Sequence, residues 1–159
     1  MKLNTKYLGQ INVEDSRRIT FRMGLPGFDE QTEFVLLDFP GNPVFQFLQS
    51  VTTESLAFIV TNPYHFYQEY AFDLDDTILE NLHIDTEQDV AVLSIVTLKN
   101  PFNTSTLNLK APVIINPTKQ LGKQYIITTD EYPSKAPIFP SESFKRKENH
   151  HARINQETK

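Results

Sequence analysis

The sequence predicts a mainly β domain, a small antiparallel β-barrel or sandwich with one or two short helices. Three observations lead there. Short bursts of β-branched and aromatic residues recur at intervals of about 10 to 15 residues, separated by Gly, Pro, Asn and Asp, as strands and turns do in all-β folds. Only one stretch spaces its apolar residues as a helix would. The chain has 159 residues, 39% of them hydrophobic, with twelve Phe and six Tyr, enough for one aromatic-rich core.

Lys2 to Leu8 opens the series as a strand. Arg18-Ile19-Thr20-Phe21-Arg22-Met23 alternates polar with apolar residues, the pattern of a half-buried antiparallel strand. It ends at Gly24-Leu25-Pro26-Gly27-Phe28, where two glycines and a proline suit a tight turn and Phe28 folds back towards the core. Glu33 to Phe39 and Val44 to Gln49 flank Pro40-Gly41-Asn42-Pro43 and read as a hairpin with a four-residue loop. Leu56 to Thr61 is apolar almost throughout, as a central strand should be. Leu74, Ile78, Leu79 and Leu82 then share a helical face, with Asp75 or Asp76 placed to cap the helix and complement its dipole. Asp89 to Leu98 is a long strand. The loop Asn100-Pro101-Phe102-Asn103 leads into Thr106 to Asn116, where Ala111-Pro112 marks a bulge or an edge. Asn116-Pro117-Thr118-Lys119 is a turn, and Lys123 to Thr129 closes the series. After Tyr132 the pattern lapses into Pro133, Pro137 and Pro140, and from Glu142 to Lys159 only Phe144, Ala152 and Ile154 are apolar. The chain thus divides into a folded domain over 1–132 and a tail over 133–159, Pro-rich and then polar and basic, that is mobile or ordered by a partner.

Charge is polarised along the chain. Between Met23 and Leu98 there are thirteen Asp and Glu and no Lys or Arg. Ten of the fifteen basic residues lie at the ends: Lys2, Lys6, Arg17, Arg18 and Arg22, then Lys145, Arg146, Lys147, Arg153 and Lys159. An acidic central block argues against direct nucleic-acid binding, which needs Lys and Arg on phosphates. No apolar stretch follows the N-terminus as a secretory signal requires, and the longest apolar run, Leu56 to Val60, falls far short of the ~18 residues of a membrane span. A cytoplasmic protein without membrane association is expected.

Catalytic and cofactor motifs are absent from the sequence. With no cysteine, disulfides, thiol catalysis and cysteine metal sites are excluded. Five glycines form neither a phosphate-binding loop nor a nucleophile elbow. His65 sits in an aromatic run, His83 follows the predicted helix, and His150 and His151 have no third ligand at metal spacing. Asp73, Asp75 and Asp76 resemble part of a calcium loop but lack its glycine and distal glutamate. Neither an enzyme nor a cofactor is expected; the competing reading is a small β-barrel enzyme using paired carboxylates with His65 as base. What stands out is the interleaving of Tyr64, Phe66, Tyr67, Tyr70 and Phe72 with Glu69, Asp73, Asp75 and Asp76. Rings that do not face the core leave an apolar, acid-rimmed patch suited to a basic protein partner.

The sequence resembles the FliW family of bacterial flagellar assembly factors from about Leu3 to Tyr132. The resemblance rests on Phe21 with Gly24-Leu25-Pro26-Gly27-Phe28, on Phe34-Val35-Leu36-Leu37, on Phe47-Leu48-Gln49-Ser50 ahead of Ala57-Phe58, and on Asn62-Pro63 with Tyr70. It continues through Val92-Leu93-Ser94-Ile95-Val96, the run from Thr106 to Asn116, and Gln124-Tyr125. It implies a compact antiparallel β-barrel-like fold and a regulator rather than an enzyme, one that binds flagellin and the RNA-binding translational regulator CsrA in a mutually exclusive way. Free of flagellin, such a protein sequesters CsrA and relieves repression of flagellin translation. Set beside that resemblance, Glu69, Asp73, Asp75 and Asp76 are the candidate contacts for basic CsrA, and Tyr64, Phe66, Tyr67 and Phe102 those for an apolar flagellin helix.

Overall fold

The strand pattern closes on itself. In the computed structural model, which describes residues 1–139 and the backbone of Arg153–Ile154, seven strands form a ring. They are β3 (Ile19–Thr20), β4 (Glu33–Asp38), β5 (Phe45–Ser50), β6 (Ala57–Thr61), β8 (Ala91–Thr97), β10 (Val113–Asn116) and β11 (Leu121–Gln124), adjacent in that order. Neighbours run antiparallel except β11 and β3, which meet in parallel at Leu121 and Thr20. An odd ring cannot alternate direction all the way round, so one parallel contact is unavoidable. Closure also removes the exposed edges that an open sheet would leave.

Alternate residues of these strands point to opposite faces. One set, including Ile19, Phe34, Leu48, Val60, Leu93, Val113 and Ile115, meets inside the ring together with Phe21 and Leu25. The other set is covered by two outer layers. Val35, Leu37 and Phe47 lie under a hairpin of β1 (Lys2–Asn4) and β2 (Gln10–Asn12) through Leu3 and Val13. Val92, Val96 and Ile114 lie under the segment from Tyr67 to Ile84 and the chain after Leu107. The ring strands are therefore apolar on both faces, and each buried Phe, Leu or Ile contributes roughly 1.5–3 kcal/mol.

Between β6 and β8 the second layer holds β7 (Asp73–Leu74) and α1 (Asp76–Asn81). Asp75 caps α1 as expected, its Oδ1 accepting from the Ile78 amide at 3.0 Å. The predicted β4–β5 hairpin forms with Leu37 opposite Phe47, and Asn42 organises its loop. Other stretches differ from expectation. Lys2 to Leu8 is only half a strand, because Thr5 turns the chain by donating from Oγ1 to the Gly9 carbonyl and accepting from the Leu8 amide. The Thr106 to Asn116 run is split into β9 (Thr106–Leu107) and β10, with Asn108 Oδ1 accepting from the Ala111 amide between them.

The folded unit also runs past Tyr132 to Ile138. β12 (Ala136–Pro137) pairs with β9, and Ala136 and Ile138 are fully buried. Prolines lack only the N–H, and here their carbonyls are used: Pro133 accepts from the Leu109 amide and Pro137 from the Tyr67 hydroxyl. The remainder of the predicted tail lies outside the described residues, except β13 (Arg153–Ile154), which pairs in parallel with β7.

Candidate functional site

The aromatic and acidic residues singled out in the sequence separate into three environments. Asn62 starts the first, accepting on Oδ1 from the Tyr64 amide and opening the 3-10 turn Pro63–His65. The turn sets Tyr64 half-buried against Tyr70, with ring centroids 5.6 Å apart, while His65 is exposed. Tyr64 also walls an open groove of about 640 Å³ whose other lining includes Gln46, Asn62, Glu87, Val90 and Val92.

One of the predicted contact residues, Tyr67, and its neighbour in the aromatic run, Tyr70, are structural. Tyr67 is only 4% exposed, and its hydroxyl holds the Pro137 carbonyl, so it fastens β12 instead of facing a partner. Burial pushes its phenol up to about 12. Tyr70, 1% exposed, donates to the Leu109 carbonyl at 2.6 Å and meets Tyr132 edge-on at 4.7 Å. Burial, with Tyr64 and Tyr132 nearby, drives its pKa far above the ordinary phenol range.

Phe66 and Phe102, distant in sequence, come together around Phe45. Phe66 stacks on it at 6.4 Å and Phe102 meets it edge-on at 6.0 Å. Phe102 tops the 3-10 turn Phe102–Thr104, which Thr104 closes by donating from Oγ1 to the Pro101 carbonyl. Phe139 joins on the far side of Phe102 at 6.3 Å. Phe102 and Phe139 are 45% and 58% exposed, so the cluster offers two rings to solvent on a buried aromatic base. Sequence reasoning missed Phe139, whose signal was its place beside Ile138, a buried anchor inside a proline-rich stretch.

The acidic residues gather on β7 and α1. Asp73 is half-buried, and its carbonyl accepts from the Tyr125 hydroxyl at 3.1 Å. Asp75 and Asp76 are exposed at the start of α1, with Glu80 exposed further along it, and the three have no ion pair among the described residues. Glu69 is half-buried, and its Oε1 is closed off from solvent without a hydrogen-bond partner among the described residues. Asp85, Glu87 and Asp89 extend the acidic surface beyond α1; the Asp85 and Thr86 amides donate to Asp89 and hold its carboxyl below the usual range. The carboxylates that suggested a catalytic pair are spread over a cap, a helix turn and a strand. Among the described residues no three His, Asp or Glu converge as a metal site requires.

The chain matches a family model described as FliW protein over residues 2–138. It is 51% identical over 138 residues to the flagellar assembly factor FliW of Oceanobacillus iheyensis, covering 87% of this chain and 94% of that one. The Bacillus subtilis protein of the same name is 45% identical over 138 residues, with 87% and 96% covered. A crystal structure of the flagellar assembly factor FliW aligns with a TM-score of 0.84 at 43% identity, covering 89% of this chain and 99% of that one. No helix among the described residues is long and apolar enough to cross a membrane. The match takes in the ring, both covering layers and the anchor at Ile138, and the chain belongs to the FliW family of flagellar assembly factors.

Proposed function

We propose that this protein regulates flagellin synthesis in the cytoplasm by occupancy, binding flagellin and, when free of it, binding CsrA and relieving its repression of flagellin translation. The observation that carries the reading is the surface of β7 and α1, where Asp75, Asp76 and Glu80 are exposed in a stretch of chain without a single Lys or Arg. An RNA-binding regulator must present basic side chains, and exposed carboxylates at the start of α1 are complementary to them. Docked beside the RNA site, that face also repels phosphates; with a Debye length of about 8 Å at physiological salt it must be near the site but need not overlap it. For flagellin the apolar contact is Phe102 with Phe66 and Phe139. An amphipathic helix lays such an apolar face into a hydrophobic groove.

The test is an RNA gel shift. CsrA is bound to a flagellin leader transcript, this protein is added, and flagellin is then titrated back. The expected sequence is loss of the shifted band followed by its return. Reversing Glu69, Asp73, Asp75 and Asp76 together to Lys should abolish the first step, and Phe102→Ala with Phe139→Ala should abolish the second while leaving the first intact. A protein that leaves the CsrA–RNA band unchanged at saturating concentration rules the reading out.

A further inference from the structure

A pocket opens on the outer wall of the ring where β3 meets β11, beside the end of α1. Thr20 faces outward there, because its neighbours Ile19 and Phe21 both face the ring interior. Leu121, opposite Thr20, packs outward with Leu82, the residue that ends α1. The space they border is about 100 Å³. That is room for roughly one branched aliphatic side chain, since a cavity of ~150 Å³ holds a benzene.

The rim is polar and its charges are of one sign. After Phe21 the chain turns, the Gly24 amide donating to the Phe21 carbonyl at 2.8 Å, and the turn carries Arg22 and Met23 to the mouth of the pocket. Lys123 comes from β11 and Asn81 from the last turn of α1. Arg22 and Asn81 are exposed, while Thr20 and Lys123 are half-buried. None of these four side chains makes a hydrogen bond or an ion pair among the described residues. No Asp or Glu lines the pocket. Two unpaired cations and two unengaged polar groups around an apolar floor are complementary to a carboxylate joined to an aliphatic group. Met23, 70% exposed, extends the apolar surface past the mouth. A molecule small enough for the pocket leaves Met23 bare, whereas a polypeptide seated there covers it, and methionine is enriched at such interfaces.

We propose that this pocket docks an acidic segment of a partner polypeptide: one aliphatic side chain enters against Leu82 and Leu121, flanking carboxylates meet Arg22 and Lys123, and the adjoining stretch covers Met23. The inference does not rest on the function proposed above, which uses the acidic start of α1 and the Phe102 cluster. This site lies at the other end of α1 and selects the opposite charge.

The experiment uses the full chain and a fluorescein-labelled acidic peptide with one central leucine. Anisotropy should show binding that weakens as salt is raised, with amide shifts centred on Thr20, Leu82, Leu121 and Lys123. The same peptide with alanine at its centre should bind about tenfold more weakly, the loss expected when a pocket-filling side chain is truncated. Arg22→Glu/Lys123→Glu should weaken the leucine peptide by at least about tenfold. Thr20→Met fills the pocket and leaves both cations, so it should bind the leucine and alanine peptides alike. Amide shifts of β4 and β5 that match wild type in both variants are the check on folding. No binding by wild type, equal affinity of wild type for the two peptides, or undiminished affinity in the double Glu variant overturns the proposal. Free isovalerate that displaces the peptide when present at only the peptide's own concentration also overturns it, since the pocket then serves a small carboxylic acid.

Discussion

Asn116 carries more of the fold than its place in a turn suggests. It is 1% exposed, and its Nδ2 donates to the Leu82 carbonyl at 2.8 Å and the His83 carbonyl at 3.1 Å, capping the end of α1. Its Oδ1 accepts from the amides of Thr118 and Lys119, shaping the β10–β11 turn. One amide thus ties the outer layer to the ring, with a polar group satisfied on both sides. Asn116→Ala should lower urea-unfolding stability by about 2 kcal/mol, chiefly because the buried Leu82 carbonyl loses its donor. Asn116→Asp keeps both acceptor bonds but points a negative charge at two carbonyls, so at neutral pH it should be more damaging than Ala. That difference should shrink once the carboxyl is protonated. An Ala variant as stable as wild type would show that the two carbonyl bonds contribute little, and an Asp variant as stable as Ala at neutral pH that the retained turn bonds offset the repulsion. The sequence marked Asn116 only as the start of a turn, since its main partners lie 34 and 33 residues away. Phe102 was legible as an exposed ring on a loop, whereas Tyr67 was misread as a contact because nothing local announces that a proline carbonyl 70 residues later will take its hydroxyl.

At the scale of elements, local signals served well where pairing is local. The β4–β5 hairpin and capped α1 follow from turn residues, alternation and a single Asp, all within a dozen positions. The extent of β3, β9 and β12 depends on strands or loops far along the chain, so a pattern read residue by residue overestimates one and omits another. Ring closure is the clearest case, since β3 pairs with β11 across a hundred residues and no periodicity encodes that. Gly122 on β11 shows what closure requires. A Cβ there would lie 2.6 Å from the ring of Phe21, which is fully buried and packs edge-on against Phe34 at 5.3 Å. Phe21 has no free direction in which to yield, so Gly122→Ala should cost about 1–3 kcal/mol by overpacking. Phe21→Leu made with it should recover part of the loss, by trading ring volume for the new methyl group. Double-mutant unfolding curves test this: additive losses would mean that the strain lies elsewhere. Gly24 is constrained differently, having φ +68° and a Cβ position 2.5 Å from the Phe28 carbonyl oxygen, so its turn was predictable from sequence as glycine's conformational freedom.

For the molecule as a whole, buried tyrosines join the layers and make stability depend on alkaline pH. Tyr67 links the Pro63–His65 turn region to β12, Tyr70 reaches the Leu109 carbonyl, and Tyr125 reaches the Asp73 carbonyl on β7. Burial raises the pKa of all three, that of Tyr67 to about 12 from an ordinary value of 10.0. A raised pKa in the folded state means that the unfolded chain releases these protons first as pH increases. The associated stability is fully present below pH 10 and is lost as pH rises towards 12 and beyond. Urea midpoints should therefore be flat just below pH 10 and fall steadily above it. Tyrosinate absorbance should show part of the six-tyrosine signal appearing only together with unfolding. Tyr67→Phe separates this linkage from general alkaline damage. It removes one of the resisting protons, so the variant should be less stable than wild type below pH 10, where the bond to Pro137 is lost, yet its midpoint should fall less steeply above that pH. If both proteins fall with the same slope, the phenol of Tyr67 is not what the alkaline transition senses, and Tyr70, the most deeply buried of the three, is the next to replace.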